Sequence, residues 1–192
     1  RAPLGTLAGV SAFQLMFGSQ RVFTPGDLPD TLVAMNPAAL KVHLKDLKKG
    51  GTILANANAF TDKNLKMATW ETNPLTDGSL DGYTVYSMEM SKLVGKALEN
   101  SDLTSKGIER TKNMFALGVL FWMYNRPIEP TEEWLRKKFA KNPSIAEANI
   151  TAMKTGFNYG ETTEIFTTSY AVEKADLPKG KYRNITGNVA VA

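Results

Sequence analysis

The sequence contains no cysteine and a single histidine, His43. The first absence excludes disulfides, thiolate zinc sites, a cysteine nucleophile and iron–sulfur ligation by this chain. The second leaves any Ser-His-Asp triad one possible base and excludes a two-histidine metal site. No G-x-G-x-x-G and no P-loop is present. The longest apolar run, Met114 to Tyr124, has 11 residues. A bilayer-spanning helix needs about 20, so this run reads as a buried core helix and no membrane partner is expected. The charge excess is small: 23 Lys+Arg against 19 Asp+Glu in 192 residues. Nucleic-acid domains concentrate more basic charge on one face, so no nucleic-acid partner is expected either. The basic groups at 41–49, 136–141 and 179–183 read as solvated helix faces and loops.

What is present is an ordinary globular composition, 43% hydrophobic and 22% charged, long enough to bury a core. Ala8 to Phe17 partly alternates and reads as a strand. Gly18-Ser19 gives a turn and Arg21 to Phe23 a short return strand, so an N-terminal hairpin is expected. Thr31 to Met35 is an apolar run without alternation, as in a strand covered on both faces. Asn36-Pro37 then supplies an N-cap and a first helical residue. Apolar residues recur at helical spacing to about Lys48, and Gly50-Gly51 ends the helix. Thr52 to Ala55 is a second buried strand. A right-handed crossover makes this a parallel β-α-β unit. Tyr83 to Ser87 reads as a third strand, followed by helices at about 90–99, 109–124, 131–141 and 143–159. Thr131 is the expected cap of the third of these, with Pro127 and Pro130 bounding the loop before it. The fold class is α/β with a three-layer core and a helical C-terminal part.

Ligands of open α/β sheets bind at the carboxyl ends of the strands. Those ends carry Asn36, Asn56 with Asn58, and Ser87 with Glu89. Asn36 explains itself as a cap; Asn56 has no such explanation. His43 falls inside a predicted helix and reads as a packed or surface side chain. The pairs Asp77/Asp81 and Glu161/Glu164 lie in loops without a partner constellation. Chemistry alone therefore finds no nucleophile, general base, metal cluster or redox ligand.

The order of segments says more. "AGVSAFQLMFGSQRVFTPGD" followed by "PDTLVAMNPAALKVHLKDLKKGGTILAN" closely resembles the gamma domain of 2-oxoacid:ferredoxin (acceptor) oxidoreductases. "LVAMNPAAL" with the following "GGTI" carries the resemblance, and "RAPLGTLAGVSAFQ" points to the 2-oxoglutarate type, whose alpha subunit has this domain at its N-terminus. "ITGNVAVA" at 185–192 resembles the start of a thiamine-diphosphate pyrimidine domain. The resemblance implies a Rossmann-like swivelling domain over 1–160, a linker over 161–184 and the next domain from 185. Both ends are expected to be cuts through a longer polypeptide, with the family's first strand and glycine-rich loop upstream.

The resemblance also implies a supporting role in oxidative decarboxylation of a 2-oxoacid to an acyl-CoA, with electrons passing to ferredoxin. Thiamine diphosphate, magnesium and iron–sulfur clusters belong to partner domains or chains. "DGSLDG" at 77–82 is not the family's diphosphate–magnesium motif. Expected partners are the alpha domain of the same polypeptide, a beta subunit and ferredoxin, in the cytoplasm. Coenzyme A is the one ligand expected to touch this segment, with Arg1, Thr6, Asn36 and Asn56 as candidate contacts. The competing readings are a stand-alone nucleotide-binding α/β module and a purely structural assembly domain.

Overall fold

The computed structural model describes residues 7, 9–24, 26–166 and 169–180. Three strands, β1 (Thr31–Ala34), β2 (Thr52–Asn56) and β3 (Thr84–Met88), pair in the order β1-β2-β3. Both pairings are parallel, with Leu32 beside Ile53 and Ile53 beside Val85. β2 lies between two strands and is buried at every position, which is why its sequence does not alternate.

Between β1 and β2 runs helix α1 (Pro37–His43), continued by a 3-10 turn at Leu44–Asp46. Asn36 is its N-cap: the backbone is extended there, and Oδ1 accepts from the Ala39 amide at 2.8 Å. Gly50, at φ 74°, lets the chain turn back into β2. Helix α2 (Asp62–Met67) follows β2, capped by Thr61. After β3 come α3 (Met90–Ala97), α4 (Ser105–Arg110), α5 (Lys112–Met123), α6 (Glu129–Lys138) and α7 (Pro143–Thr162).

The expected three layers are present. Leu32, Ala34, Ile53, Ala55 and Val85 face α1 and α2, where Leu40, Leu47 and Leu65 meet them. The alternate residues Val33, Leu54, Tyr86 and Met88 face α3, α5 and α7, against Val94, Phe115, Val119 and Ala152. The tightest contact is α5 on α7. A methyl group built on Gly118 collides with the Met153 carbonyl oxygen, and one on Gly156 with the Phe115 carbonyl oxygen. Two main chains touch there with no side chain between them. Leu135 of α6 closes a third cluster with Ile150 and Met153.

Four expectations need correction. The N-terminal hairpin is not formed: no strand occurs before Thr31 among the described residues. Gln14 Nε2 donates to the Gly26 and Asp27 carbonyls at 2.9 and 3.3 Å, so a side chain rather than a ladder holds this segment. A lone hairpin is marginal without a third strand or a helix to cover it. The helix expected over 109–124 is two helices, because the Thr111 hydroxyl bonds back to the Ile108 carbonyl at 2.8 Å and closes α4. α6 begins at Glu129, with Pro130 in its first turn instead of in the loop and Thr131 inside the helix. α7 passes Gly160 to Thr162 because that glycine packs against the Trp122 ring, where a methyl group would come within 2.8 Å. The first residues of the linker expected over 161–184 therefore belong to α7. The segment 185–192 lies outside the described residues.

Candidate functional site

The carboxyl ends of β2 and β3 converge on the first turn of α3, and a polar chain runs across that place. Asn56, the last residue of β2, is wholly buried. Its Nδ2 donates to Ser91 Oγ of α3 at 3.4 Å. Ser91 Oγ in turn lies 3.2 Å from Glu109 Oε1, and the Lys112 ammonium pairs with the same oxygen. Asn58 Oδ1 accepts from the Lys92 amide at 3.1 Å, tying the turn after β2 to α3. Lys92 Nζ pairs with Glu89 Oε2 at 3.0 Å. Asn56 Oδ1 is buried and has no hydrogen-bond partner among the described residues. Tyr159 of α7 borders the cluster. Burial, with the Glu89 carboxylate nearby, pushes its phenol above the usual tyrosine value.

This arrangement holds and orients; it offers no activated nucleophile or base. Among the described residues no group of three or more His, Cys, Asp or Glu could hold a metal ion. Of the four expected contact residues, Arg1 and Thr6 lie outside the described residues. Asn36 stands at the end of β1 but is spent on structure: Oδ1 caps α1 and Nδ2 donates to the Gly9 carbonyl at 3.2 Å. Of the two that are described, Asn56 keeps an unpaired polar atom, Oδ1. Ser87, on the outer strand β3, is exposed.

Ser91, Glu109 and Lys112 escaped the sequence reading. Ser91 lies 35 residues from Asn56 and 18 from Glu109, and no local pattern joins them. The only signal was that a serine opens the helix after β3. His43, expected as a packed or surface side chain, is partly buried: Nδ1 is 3.4 Å from Asp46 Oδ2, and Nε2 is buried with no hydrogen-bond partner among the described residues. Asp77 is a turn-former, its carboxylate held below the ordinary value by hydrogen bonds from Ser79 and Thr72. Two of the basic groups have structural work as well. Lys41 Nζ donates to the Thr69 carbonyl at 2.6 Å and lies over the Trp70 ring. Arg136 bonds Glu147 at 3.0 Å.

The sequence profile of the pyruvate ferredoxin/flavodoxin oxidoreductase family matches residues 6–159. The chain belongs to that family. Across all 192 residues it is 50% identical to the 2-oxoglutarate oxidoreductase subunit KorA of Mycobacterium tuberculosis, and it spans 29% of that subunit's length. Among solved structures it is similar to the 2-oxoglutarate:ferredoxin oxidoreductase from Magnetococcus marinus, determined with 2-oxoglutarate, coenzyme A and succinyl-CoA bound. The TM-score is 0.59 at 21% identity, over 82% of this chain and 24% of that one. That likeness establishes the α/β fold as the family's own.

No helix among the described residues is long and apolar enough to cross a membrane. A second feature of the family member's surface is apolar. Phe13, Leu15, Met16, Phe17, Phe23 and Leu28 are all exposed, Phe13 to 93% and Phe23 to 80%. Single exposed apolar side chains are ordinary; here six fall within residues 13–28.

Proposed function

We propose that this chain is the gamma-domain portion of a 2-oxoglutarate-type 2-oxoacid:ferredoxin oxidoreductase. It supports oxidative decarboxylation of 2-oxoglutarate, which releases CO2 and forms the coenzyme A thioester of the acid one carbon shorter, with two electrons leaving to ferredoxin. The observation that carries the reading is the 50% identity to KorA along the whole chain. The segment's own role is assembly and cover for coenzyme A, not the reacting centre. The residue content fits that division: no cysteine is available for an iron–sulfur cluster, and the strand-end cluster orients polar groups without activating one. Thiamine diphosphate, magnesium and the clusters are supplied by other domains or subunits, in the cytoplasm.

The apolar residues of 13–28 are the face that the rest of the assembly covers, and the outer edge of β1, paired with no described strand, is where the family's upstream strand adds. Asn56 is the candidate contact for coenzyme A, a reading that its buried, unpaired Oδ1 supports.

The test is turnover by the complete purified complex with a low-potential dye or ferredoxin as acceptor. Reduction is expected with 2-oxoglutarate plus coenzyme A, and much less with pyruvate. A preference for pyruvate, or reduction that proceeds to completion without coenzyme A, would overturn the reading.

A further inference from the structure

The side chain of Tyr124, the residue that caps the end of α5, is shared by three stretches of chain. Its hydroxyl lies 2.7 Å from the Thr31 hydroxyl at the head of β1. Phe17 meets its ring edge-on, with centroids 5.3 Å apart and planes at 77°. Tyr170 stacks on it at 5.2 Å and 19°. Phe17 and Tyr170 belong to 9–24 and 169–180, two stretches without helix or strand.

The end of α5 is shaped as a seat for the second of these stretches. Asn125 turns the chain at φ 48°, a conformation that asparagine adopts more readily than most residues. The Arg126 amide then donates back to the Phe121 carbonyl at 2.7 Å. On this seat the Tyr170 amide donates to the Met123 carbonyl at 2.7 Å, and Arg126 Nη1 donates to the Val172 carbonyl at 3.3 Å. The chain after α7 is therefore strapped to the end of α5. The first stretch comes up against the same strap. A cavity of about 250 Å³ is lined by Phe17 and Gly18 from one stretch and by Val172, Ala175 and Leu177 from the other, with Arg126 between them in sequence.

One ring in one rotamer serves both aromatic contacts. Fixing that ring costs side-chain entropy once, and the second contact forms on a ring already fixed. We infer that Tyr124 couples the two stretches: residues 9–24 and 169–177 are held or released together, through its ring and across the cavity they share. Coupling of this kind is reciprocal. Cover over the exposed apolar side chains of 13–28 that steadies Phe17 thereby steadies the strap, and a pull on the strap loosens that face. The coupling does not depend on the coenzyme A reading above.

The experiment is limited trypsin digestion of the complete complex, with cleavage after Arg21 and after Lys174, both exposed, followed by mass spectrometry. The cleavage rate follows the population of the open segment when opening and closing are fast. Tyr124→Ala is expected to raise both rates about fivefold, the worth of a ring pair. Tyr124→Phe keeps the ring and loses the Thr31 bond, so its rates should stay closer to wild type. Equal rates in the two variants would assign the effect to the hydroxyl and overturn the inference. Phe17→Ala and Tyr170→Ala each change one stretch alone, at a half-exposed position. Coupling predicts that Tyr170→Ala also speeds cleavage after Arg21, and Phe17→Ala cleavage after Lys174, at least about twofold. Effects confined to the substituted stretch would show two independent attachments and overturn the inference. So would unchanged rates at both sites in Tyr124→Ala, or an equal rise after Lys96 of α3, which marks loosening of the whole domain. Should Tyr124→Ala fail to assemble, the two single-stretch variants decide.

Discussion

Residues 9–24 and residues 31–56 are built from similar material, yet only one of the two stretches folds into regular structure. Both are rich in β-branched, aromatic and aliphatic residues. In 31–56 the strands β1 and β2 pair in parallel and are covered on both faces, and Ile53, Leu54 and Ala55 are wholly buried. In 9–24 the side chains of Phe13, Leu15 and Phe23 stand in solvent and no ladder forms. The difference is not propensity. β propensity measures fit to a pleated, half-buried surface, and the first stretch has no such surface within the described residues.

Leu54→Ala gives the largest expected effect on this contrast. It empties a buried site between β2 and the α3–α5–α7 layer, and urea unfolding should show a loss of about 2–5 kcal/mol. The junction between the two stretches comes next. Asn36 caps α1 with its oxygen and holds the Gly9 carbonyl with its nitrogen. Asn36→Ala should cost about 1 kcal/mol, the usual worth of a cap. Asn36→Asp keeps the cap and loses only the Gly9 bond, so its unfolding midpoint should stay near wild type. A large loss in the Asp variant would show that the first stretch is anchored more firmly than its exposure indicates. The smallest effect belongs to Phe13→Ser, within about 0.5 kcal/mol in this chain. In the complete complex the same substitution should weaken subunit or domain association, read by sedimentation. Equal association of the two forms would break the contrast.

The folded half was legible because its signals agree. Asn36-Pro37 opens a helix, Gly50-Gly51 closes it, and an unalternating apolar run on each side demands burial. β1, α1, β2 and β3 fall within a residue or a few of where those signals place them. The hairpin expected at 8–23 failed because a strand pattern states a need for a neighbour without supplying one. The helix expected over 109–124 was divided by one hydroxyl, Thr111, whose back-bond no periodicity displays. At the site, Asn56 was visible as an unexplained polar residue at a strand end. The serine and carboxylate that orient it were not, because their contact exists only once β2, α3 and α4 have come together.

The glycine contact between α5 and α7 bears on motion as much as on packing. A side-chain interface can slide by exchanging rotamers, but two main chains meeting at Gly118 and Gly156 have no such play. Shifting one helix by a residue along the other would bring Leu117 or Thr155 to the crossing, where there is no room for either. The two helices are therefore pinned, and Lys112, at the head of α5, is carried on that pin. Any displacement of this layer carries α5 and α7 together as one stiff piece.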